Sequence, residues 1–318
     1  MEILLIKEGN STRKGEIFME IDRREFLKNS AVTLGAAAIG TGVSAILDSK
    51  GSLAEAAGPA PEYEIYALKY AGPFPRKLAM VLWNEGWEEN IEINYYLWAI
   101  KGKDEWIVVD AGTGLTEAAK RKLKGYVNPL DALKRIGVNG TNVNKVIITH
   151  MHFDHVGGME MFPQAFPKAK FYIQKKEYDF WAKHPFAKRV PFSFNADNLA
   201  IKATADLEDT DRLVLISGDQ KIMPGIELLY SPGHTTALQT VVVNTAKGTA
   251  VVASDCLHAH RAFKENNTSI LITDLIGWIE SYDKLRAKAT SIDLVFPGHD
   301  ISMATNYPKV AEDVTRLV

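Results

Sequence analysis

The chain has 318 residues, of which 46% are hydrophobic and 24% are charged, a composition typical of a globular protein with a sizeable core. Its net charge of −2, without a long basic run, gives no support for nucleic-acid binding. The single cysteine, Cys256, excludes an internal disulfide, and we interpret it as a small buried residue rather than a ligand or a reactive thiol.

The first 56 residues are predicted to be an export leader rather than part of the fold. Residues 22–28 read Asp-Arg-Arg-Glu-Phe-Leu-Lys, which resembles a twin-arginine signal, and a weakly apolar stretch follows over 30–47. Residues 54–56, Ala-Glu-Ala, offer a small-x-small cleavage site. The apolar stretch is short and poor in large side chains, so we expect no stable membrane anchor. Met19 directly precedes the signal and is a candidate for the true translation start.

Residues 57–318 are expected to form one domain. The leader predicts export by the twin-arginine machinery to the periplasm or the medium. Because that route carries folded proteins, a metal centre could be filled in the cytoplasm before export.

The domain is predicted to begin with two strands, at 62–70 and 94–101, on their alternating apolar pattern. The connection between them is long, and we interpret Trp83 and Trp87 within it as part of a lid. Tyr96 and Trp98 are assigned to the core. The segment 184–211 has few periodic signals and is predicted to be an insertion packed near the functional site. Further strands are predicted at 105–110, 145–149, 171–174, 213–216, 226–230, 240–244, 249–253 and 292–296, and helices at 116–124, 129–136, 177–183, 274–288 and 307–317.

The most informative motif follows the strand predicted at 145–149 and reads His-Met-His-Phe-Asp-His. His150 and His152 alternate, so both can reach one metal ion, while Asp154 and His155 can reach a second. Three more candidate ligands also follow predicted strands, where rigid scaffolds present functional side chains. They are His234 in Ser-Pro-Gly-His-Thr, Asp255 after 249–253, and His299 in Phe-Pro-Gly-His-Asp.

These motifs resemble those of the metallo-β-lactamase superfamily over roughly residues 63–317. The resemblance implies an α/β fold of the four-layer αββα sandwich type and a hydrolase with two divalent metal ions. Imidazole and carboxylate ligands suit zinc, and also iron, manganese or cobalt. The resemblance implies a first ion on His150, His152 and His234, a second on Asp154, His155 and His299, and Asp255 as the bridge.

Within that superfamily, the ligand set, its spacing and the entry strand are most similar to the N-acyl-homoserine lactonase branch, which includes pyridoxolactonase. The branch opens lactone rings with a hydroxide that bridges the metals and has a pKa of roughly 7. The resemblance therefore implies a quorum-quenching lactonase with Asp154 and Asp255 as catalytic residues, and we predict a catalytic role for His258 as well. His258 departs from the branch, which usually has tyrosine three residues after the bridging aspartate. We expect its imidazole to donate a hydrogen bond or a proton to the leaving alkoxide.

Several interpretations stay open. Asp110 is either a carboxylate that orients a metal-binding histidine or simply a residue that ends a strand. His184 and His260 are interpreted as solvated surface residues. Other esterases, thioesterases and phosphotriesterases use the same scaffold. The short segment after His299 argues against the thioesterase, which needs a helical substrate domain. A non-hydrolytic di-iron redox protein is a further alternative, which a flavodoxin-like partner domain would support. A small lactone or ester is the expected substrate, while its identity, the metal and the oligomeric state stay undetermined.

Overall fold

The computed structural model describes residues 60–318, so the predicted leader over 1–56 and the candidate start at Met19 lie outside the described residues. Eight strands form the larger of two sheets, in the order β12-β13-β1-β2-β3-β4-β5-β6. The pairs from β3 to β6 are parallel and the others are antiparallel. These strands are β1 (Glu64–Lys77), β2 (Asn90–Lys101), β3 (Trp106–Val109), β4 (Val143–Ile147), β5 (Lys170–Gln174), β6 (Leu213–Ile216), β12 (Lys309–Ala311) and β13 (Val314–Arg316).

The smaller sheet has five strands in the order β11-β10-β9-β8-β7. Its only parallel pair within the described chain joins β10 to β11. The carboxyl ends of these two parallel strands therefore meet at one edge. The strands are β7 (Gln220–Met223), β8 (Ile226–Tyr230), β9 (Gln239–Thr245), β10 (Gly248–Ser254) and β11 (Val295–Pro297).

Helices cover the outer faces of both sheets. Among residues 60–318, none of them combines the length and apolarity that crossing a membrane requires. Three segments form 3₁₀ helices, at Gly157–Glu160, Pro185–Lys188 and Ile292–Leu294. The α-helices are α1 (Leu78–Val81), α2 (Leu115–Arg121), α3 (Pro129–Lys134), α4 (Phe153–Val156), α5 (Phe162–Ala165), α6 (Lys175–Lys183), α7 (Val190–Ser193), α8 (Asn198–Ala205), α9 (His260–Glu265), α10 (Leu275–Lys288) and α11 (Ser302–Thr305).

Side-chain alternation along β2 explains the layers, because successive side chains of a strand point to opposite faces. Trp98 is buried in the core between the two sheets, together with apolar side chains of β8, β9 and β10. Leu97 and Ala99 are buried on the opposite face, against the helices. A third core lies on the far face of the smaller sheet, where Trp278 and Tyr282 of α10 pack. These three cores confirm the predicted four-layer αββα sandwich and the core assignment of Trp98.

The predicted closing helix at 307–317 is wrong. That segment forms β12 and β13, and β13 pairs with β1 so that Arg316 lies opposite Tyr66. The edge of β1 would otherwise expose unpaired backbone groups, and pairing with β13 satisfies them. Val314 and Leu317 are buried on the sheet, which outweighs the helical pattern of the segment.

The long connection predicted at 71–93 is also shorter than expected. β1 continues through two irregularities, between Lys69 and Ala71 and between Ala71 and Phe74, so that the loop of the β1–β2 hairpin spans only 78–89. The strand predicted at 292–296 begins with a 3₁₀ turn, and β11 itself starts at Val295. The remaining predicted elements are present, with ends shifted by a few residues.

Candidate metal centre

The histidine-rich motif lies where β4 gives way to α4. Buried Val146 and Ile147 anchor β4 in the sheet, and the chain then passes through His150 and His152 before Asp154 and His155 enter α4. The following glycines permit close packing of the backbone: a Cβ at Gly158 would lie only 2.2 Å from the carbonyl oxygen of Ala111. The loop is therefore held rigidly against the chain that leaves β3.

The other three predicted ligands come from the smaller sheet. His234 follows β8, Asp255 directly follows β10, and His299 follows β11 by one residue, Gly298. A Cβ at position 298 would lie 2.1 Å from Asp255 Oδ1, so only glycine allows these two strand ends to approach. The parallel pairing of β10 with β11 thus brings Asp255 and His299 together.

All seven predicted ligands meet at one point between the two sheets, and each is buried. Their ligand atoms fall into groups whose members lie within 4.8 Å of one another. The groups are His150, His152 and His234; His150, His155 and Asp255; Asp154, His155 and His299; and His234, Asp255 and His258.

Asp255 occupies the middle of this arrangement. Its Oδ2 lies 3.4 Å from His234 Nε2 and 3.0 Å from His299 Nε2, while Oδ1 lies 3.3 Å from His155 Nε2. Asp154 approaches only His155 and His299, each at 3.8 Å. Asp255 is therefore the carboxylate that touches both predicted ligand groups, as a bridge requires.

The residues present fit a pair of metal ions on direct structural grounds. His150 Nε2, His155 Nε2 and Asp255 Oδ1 are buried and make no well-aligned hydrogen bond within residues 60–318. Orphaned buried polar atoms are costly and rare in folded proteins. Three of them converging at one point indicate that cations complete the site.

The ring nitrogens on the far side of these imidazoles are held by fixed partners, which sets their tautomers. His234 Nδ1 donates to the carbonyl of Leu271 at 3.1 Å, and His299 Nδ1 donates to the carbonyl of Asn94 at 2.9 Å. His155 Nδ1 lies 2.7 Å from Asp110 Oδ2. In each case Nε2 is left to face the centre.

Asp110 both ends a strand and orients a histidine of the ligand cluster, the two roles that the sequence left open. It ends β3 with a left-handed backbone, φ 64°, and its carboxylate also receives the side-chain hydroxyl of Thr149 at 2.9 Å. Thr149 in turn faces His150 Nδ1 at 3.1 Å. Asp110 therefore orients His155 directly and His150 through Thr149, and its strained backbone conformation fits a functional position.

Burial sets the charge state of most of these histidines. It lowers the pKa of His152 and that of His234 to about 3, and the pKa of His150 well below its ordinary value. Burial opposes the charge of His155 as well, but Asp255, Asp154 and Asp110 together raise its pKa well above the ordinary value. Neutral imidazole is the form that binds cations, so three of the histidines are ready to act as ligands.

Glu177 of α6 is a buried carboxylate that the sequence did not single out. Its Oε1 accepts hydrogen bonds from the amide of Met151 at 3.2 Å and from Trp181 Nε1 at 2.7 Å. Its Oε2 accepts from the amide of Ala237 at 2.9 Å. Glu177 thus ties the loop of His150 and His152 to the loop of His234. Its place at the start of the helix predicted over 177–183 carries no signal of this contact.

A cavity of about 500 Å³ leads to the ligand cluster. Its wall is formed by β1, the β1–β2 hairpin, α2 and the segment around Asn195, so the insertion predicted at 184–211 does pack near the site. The predicted lid residues are not part of this wall: Trp83 is 47% exposed and Trp87 is 58% exposed. Met80 and Val81 of α1 line the cavity instead.

His258 also lines the cavity, and its Nε2 lies 3.4 Å from Asp255 Oδ2. This position beside the ligand cluster is the one that the sequence predicted for it. Cys256 is buried in the core of the smaller sheet, as expected. His184 is exposed, as expected, whereas His260 is partly buried and pairs with Asp300 at 3.3 Å.

Comparison with known proteins gives an independent view of the site. The family model of the metallo-beta-lactamase superfamily matches residues 92–299, a span that contains all seven ligand positions. An N-acyl homoserine lactonase of a Bacillus species is 26% identical over 231 residues, which cover 67% of this chain and 84% of that protein. A second, from Bacillus cereus, is 28% identical, and the aligned part covers 53% of this chain and 60% of that protein.

A solved structure shares the fold. It is AidC, a dizinc quorum-quenching lactonase in complex with the product N-hexanoyl-L-homoserine. The two structures superpose with a TM-score of 0.60 at 18% identity, covering 76% of this chain and 88% of that one. The similarity supports the four-layer architecture found here.

Proposed function

The chain belongs to the metallo-β-lactamase superfamily, and from this premise we propose that it is a dinuclear-metal hydrolase that opens lactone rings. The observation that carries the proposal is the position of Asp255, whose two oxygens touch histidines of both ligand groups. The similar curated proteins are N-acyl homoserine lactonases, which favours a lactone over other esters.

We propose zinc as the metal, in two copies. The donors are imidazoles and carboxylates, which suit zinc and also iron, manganese or cobalt. The solved neighbour described above is a dizinc enzyme, which supports zinc among these. The first ion would be held by His150, His152 and His234, and the second by Asp154, His155 and His299, with Asp255 shared.

When bound, such ions supply Lewis acidity and lower the pKa of a water molecule held between them to roughly 7. The chain's own residues then position the reactants. Asp110 and the backbone carbonyls hold the imidazoles in one orientation, so little reorganisation accompanies the reaction. His258 lines the cavity beside Asp255, where it would face the oxygen that leaves when the ring opens.

The proposal is tested by assaying the metal-loaded protein on a panel of substrates together with metal analysis. The panel contains an acyl-homoserine lactone, a simple γ-lactone, an aryl ester, a thioester and a phosphotriester. We expect about two metal ions per chain and the highest kcat/KM on a lactone. Highest kcat/KM on the thioester or the phosphotriester would instead identify the protein as a thioesterase or a phosphotriesterase on this scaffold. Oxygen reduction by an iron-loaded protein that lacks hydrolysis would support the redox alternative.

His258→Ala is expected to lower lactone turnover about a hundredfold, the low end for loss of an acid–base group. The reason is that the His258 imidazole, whose pKa burial lowers well below its ordinary value, donates a hydrogen bond to the leaving alkoxide as a neutral ring. The loss should shrink for aryl esters, whose leaving groups need no such help, and His258→Tyr should restore part of the activity. Steady-state kinetics across leaving groups, with metal content measured for each variant, checks this prediction.

The opposite pattern would identify His258 as a ligand or a packing residue. In that case His258→Ala would lose metal or thermal stability, and its activity would fall by the same factor for every leaving group. The contact between His258 and Asp255 makes this comparison necessary, because both roles place the imidazole beside the ligand cluster.

We also propose export through the twin-arginine route, on the strength of the sequence over 22–28. Replacing Arg23 and Arg24 with lysine is expected to retain the precursor in the cytoplasm, because that route reads the arginine pair as an address. Fractionation of cells that express the full chain measures the effect. Unchanged amounts in the periplasm or medium would show that the segment is not an export signal.

A further inference from the structure

The cavity wall contains an arginine that forms no ion pair with a carboxylate of the described residues. Arg76 lies near the end of β1, is half-buried and lines the cavity. Within residues 60–318, the hydrogen bonds of its guanidinium go to the carbonyl of Pro75 at 3.1 Å and to the phenol oxygen of Tyr95 at 3.3 Å. Both acceptors are neutral, so these hydrogen bonds orient the guanidinium of Arg76 without neutralising its positive charge.

Arg76 is also close to the reaction centre. Tyr95, its hydrogen-bond partner, is buried, and the ring of Tyr95 lies 5.2 Å from that of His299, measured between centroids. The guanidinium lies 5.6 Å from the centre of the Phe74 ring, a distance at which the ring attracts a cation. A substrate that reaches the ligand cluster therefore passes within reach of a pre-positioned guanidinium.

The remaining charges of the cavity wall add to the positive potential that Arg76 creates. Lys77 is exposed beside Arg76, and the nearest acceptor of its ammonium group is the carbonyl of Glu88, at 3.4 Å. Arg121 adds a third cation, although Glu117 pairs with it at 2.6 Å. The acidic residues of the wall are Asp154 and Asp255, both of which belong to the predicted metal ligands. With two divalent ions in place, the cavity would be positively charged overall.

We infer that Arg76 is a specificity-determining residue that recognises an anionic group, such as a carboxylate, on the part of the lactone that lies away from the ring. This inference rests on the proposed function and narrows its substrate class to acidic lactones. A guanidinium presents paired donors that match a carboxylate, and charge-assisted hydrogen bonds of this kind are about twice as strong as neutral ones. A neutral acyl chain would leave the charge of Arg76 unused.

The test compares two γ-lactones that differ only in a terminal carboxylate or its neutral primary amide. We expect Arg76→Gln to lower kcat/KM for the acidic lactone by roughly 10- to 100-fold, mainly through KM, since a hydrogen bond to a charged group is lost. The neutral lactone should change less than about twofold, because it makes no such bond. Arg76→Lys should retain part of the preference. Lys103→Gln, which removes an exposed charge outside the cavity wall, is the matched control.

Equilibrium binding of the two ring-opened products to the metal-loaded protein provides a readout that does not depend on turnover. The ring-opened product of the acidic lactone carries two carboxylates, and we expect the wild type to bind this dicarboxylate more tightly than the product of the amide. Arg76→Gln should lose that difference in affinity. If the wild type hydrolyses both lactones equally and Arg76→Gln changes neither, the inference is wrong while the lactonase proposal stands. Equal losses on both lactones would assign Arg76 a structural role. If no lactone is hydrolysed but the dicarboxylate still binds more tightly to the wild type than to Arg76→Gln, the lactonase proposal is wrong, while recognition of an anionic group by Arg76 is supported.

Discussion

Asp255→Ala should yield a folded protein that has lost bound metal and hydrolysis together. Asp255 contacts histidines of both ligand groups, so its removal leaves each ion short of a ligand and removes the group that holds the two ions together. Losing about 4 kcal/mol of transition-state stabilisation corresponds to roughly a thousandfold drop in kcat/KM. Metal analysis and kinetics on the same preparation measure both effects.

The fold should survive this change because Asp255 lies beyond the end of β10 and contributes nothing to the three apolar cores. Circular dichroism and thermal unfolding check this point. Treating the wild type with a chelator should reproduce the loss, and added zinc should reverse it. A wild-type protein that is fully active with one ion per chain would contradict the dinuclear mechanism.

Alanine in place of any one of four predicted metal-binding histidines should remove most hydrolysis while leaving the protein folded. Each supplies a nitrogen directed at the centre, and the imidazole cannot be replaced from solvent because the site is buried. We expect kcat/KM to fall about a hundredfold or more. Replacing a residue that only hydrogen-bonds to a metal ligand typically costs up to about a hundredfold, and loss of the ligand itself should cost at least as much. The substitutions are His150→Ala, His152→Ala, His234→Ala and His299→Ala.

His184→Ala is the matched control for these variants. His184 is exposed, and its Nδ1 accepts a hydrogen bond from the amide of Phe186 at the start of a short 3₁₀ helix. Its loss should affect stability only slightly and activity not at all. Wild-type turnover in any of the four site variants would show that the ligand assignment is wrong at that position.

The sequence by itself predicted the candidate metal ligands, because the motifs that carry the resemblance to the superfamily are local. Four of them fall within six residues, and the other three follow short β-branched or apolar runs that can be recognised as strands. A ligand at the end of a strand keeps its place whatever the exact length of that strand. The structure therefore brings the seven predicted ligands together, even though β11 begins three residues later than predicted.

Elements whose conformation depends on distant partners were less predictable. The segment 307–317 has a helix-compatible pattern, yet it forms strands because the edge of β1, more than 200 residues earlier, offers hydrogen bonds to it. Trp83 and Trp87 suggested a lid, but the continuation of β1 to Lys77 places the shorter Met80 and Val81 on the cavity wall instead.

The tertiary structure alone decided which groups surround the ligands and the substrate. For Asp110 the sequence offered two interpretations, and the structure shows that both apply. Glu177 and Arg76 are separated by long stretches of chain from residues that they hold or face. Nothing in the residues next to Glu177 and Arg76 indicates a buried network or an unpaired charge, because each of these properties is created by the packing of separate elements. The sequence therefore predicted the chemistry of the candidate metal centre, while packing decided how its side chains are oriented and which charged groups line the cavity beside it.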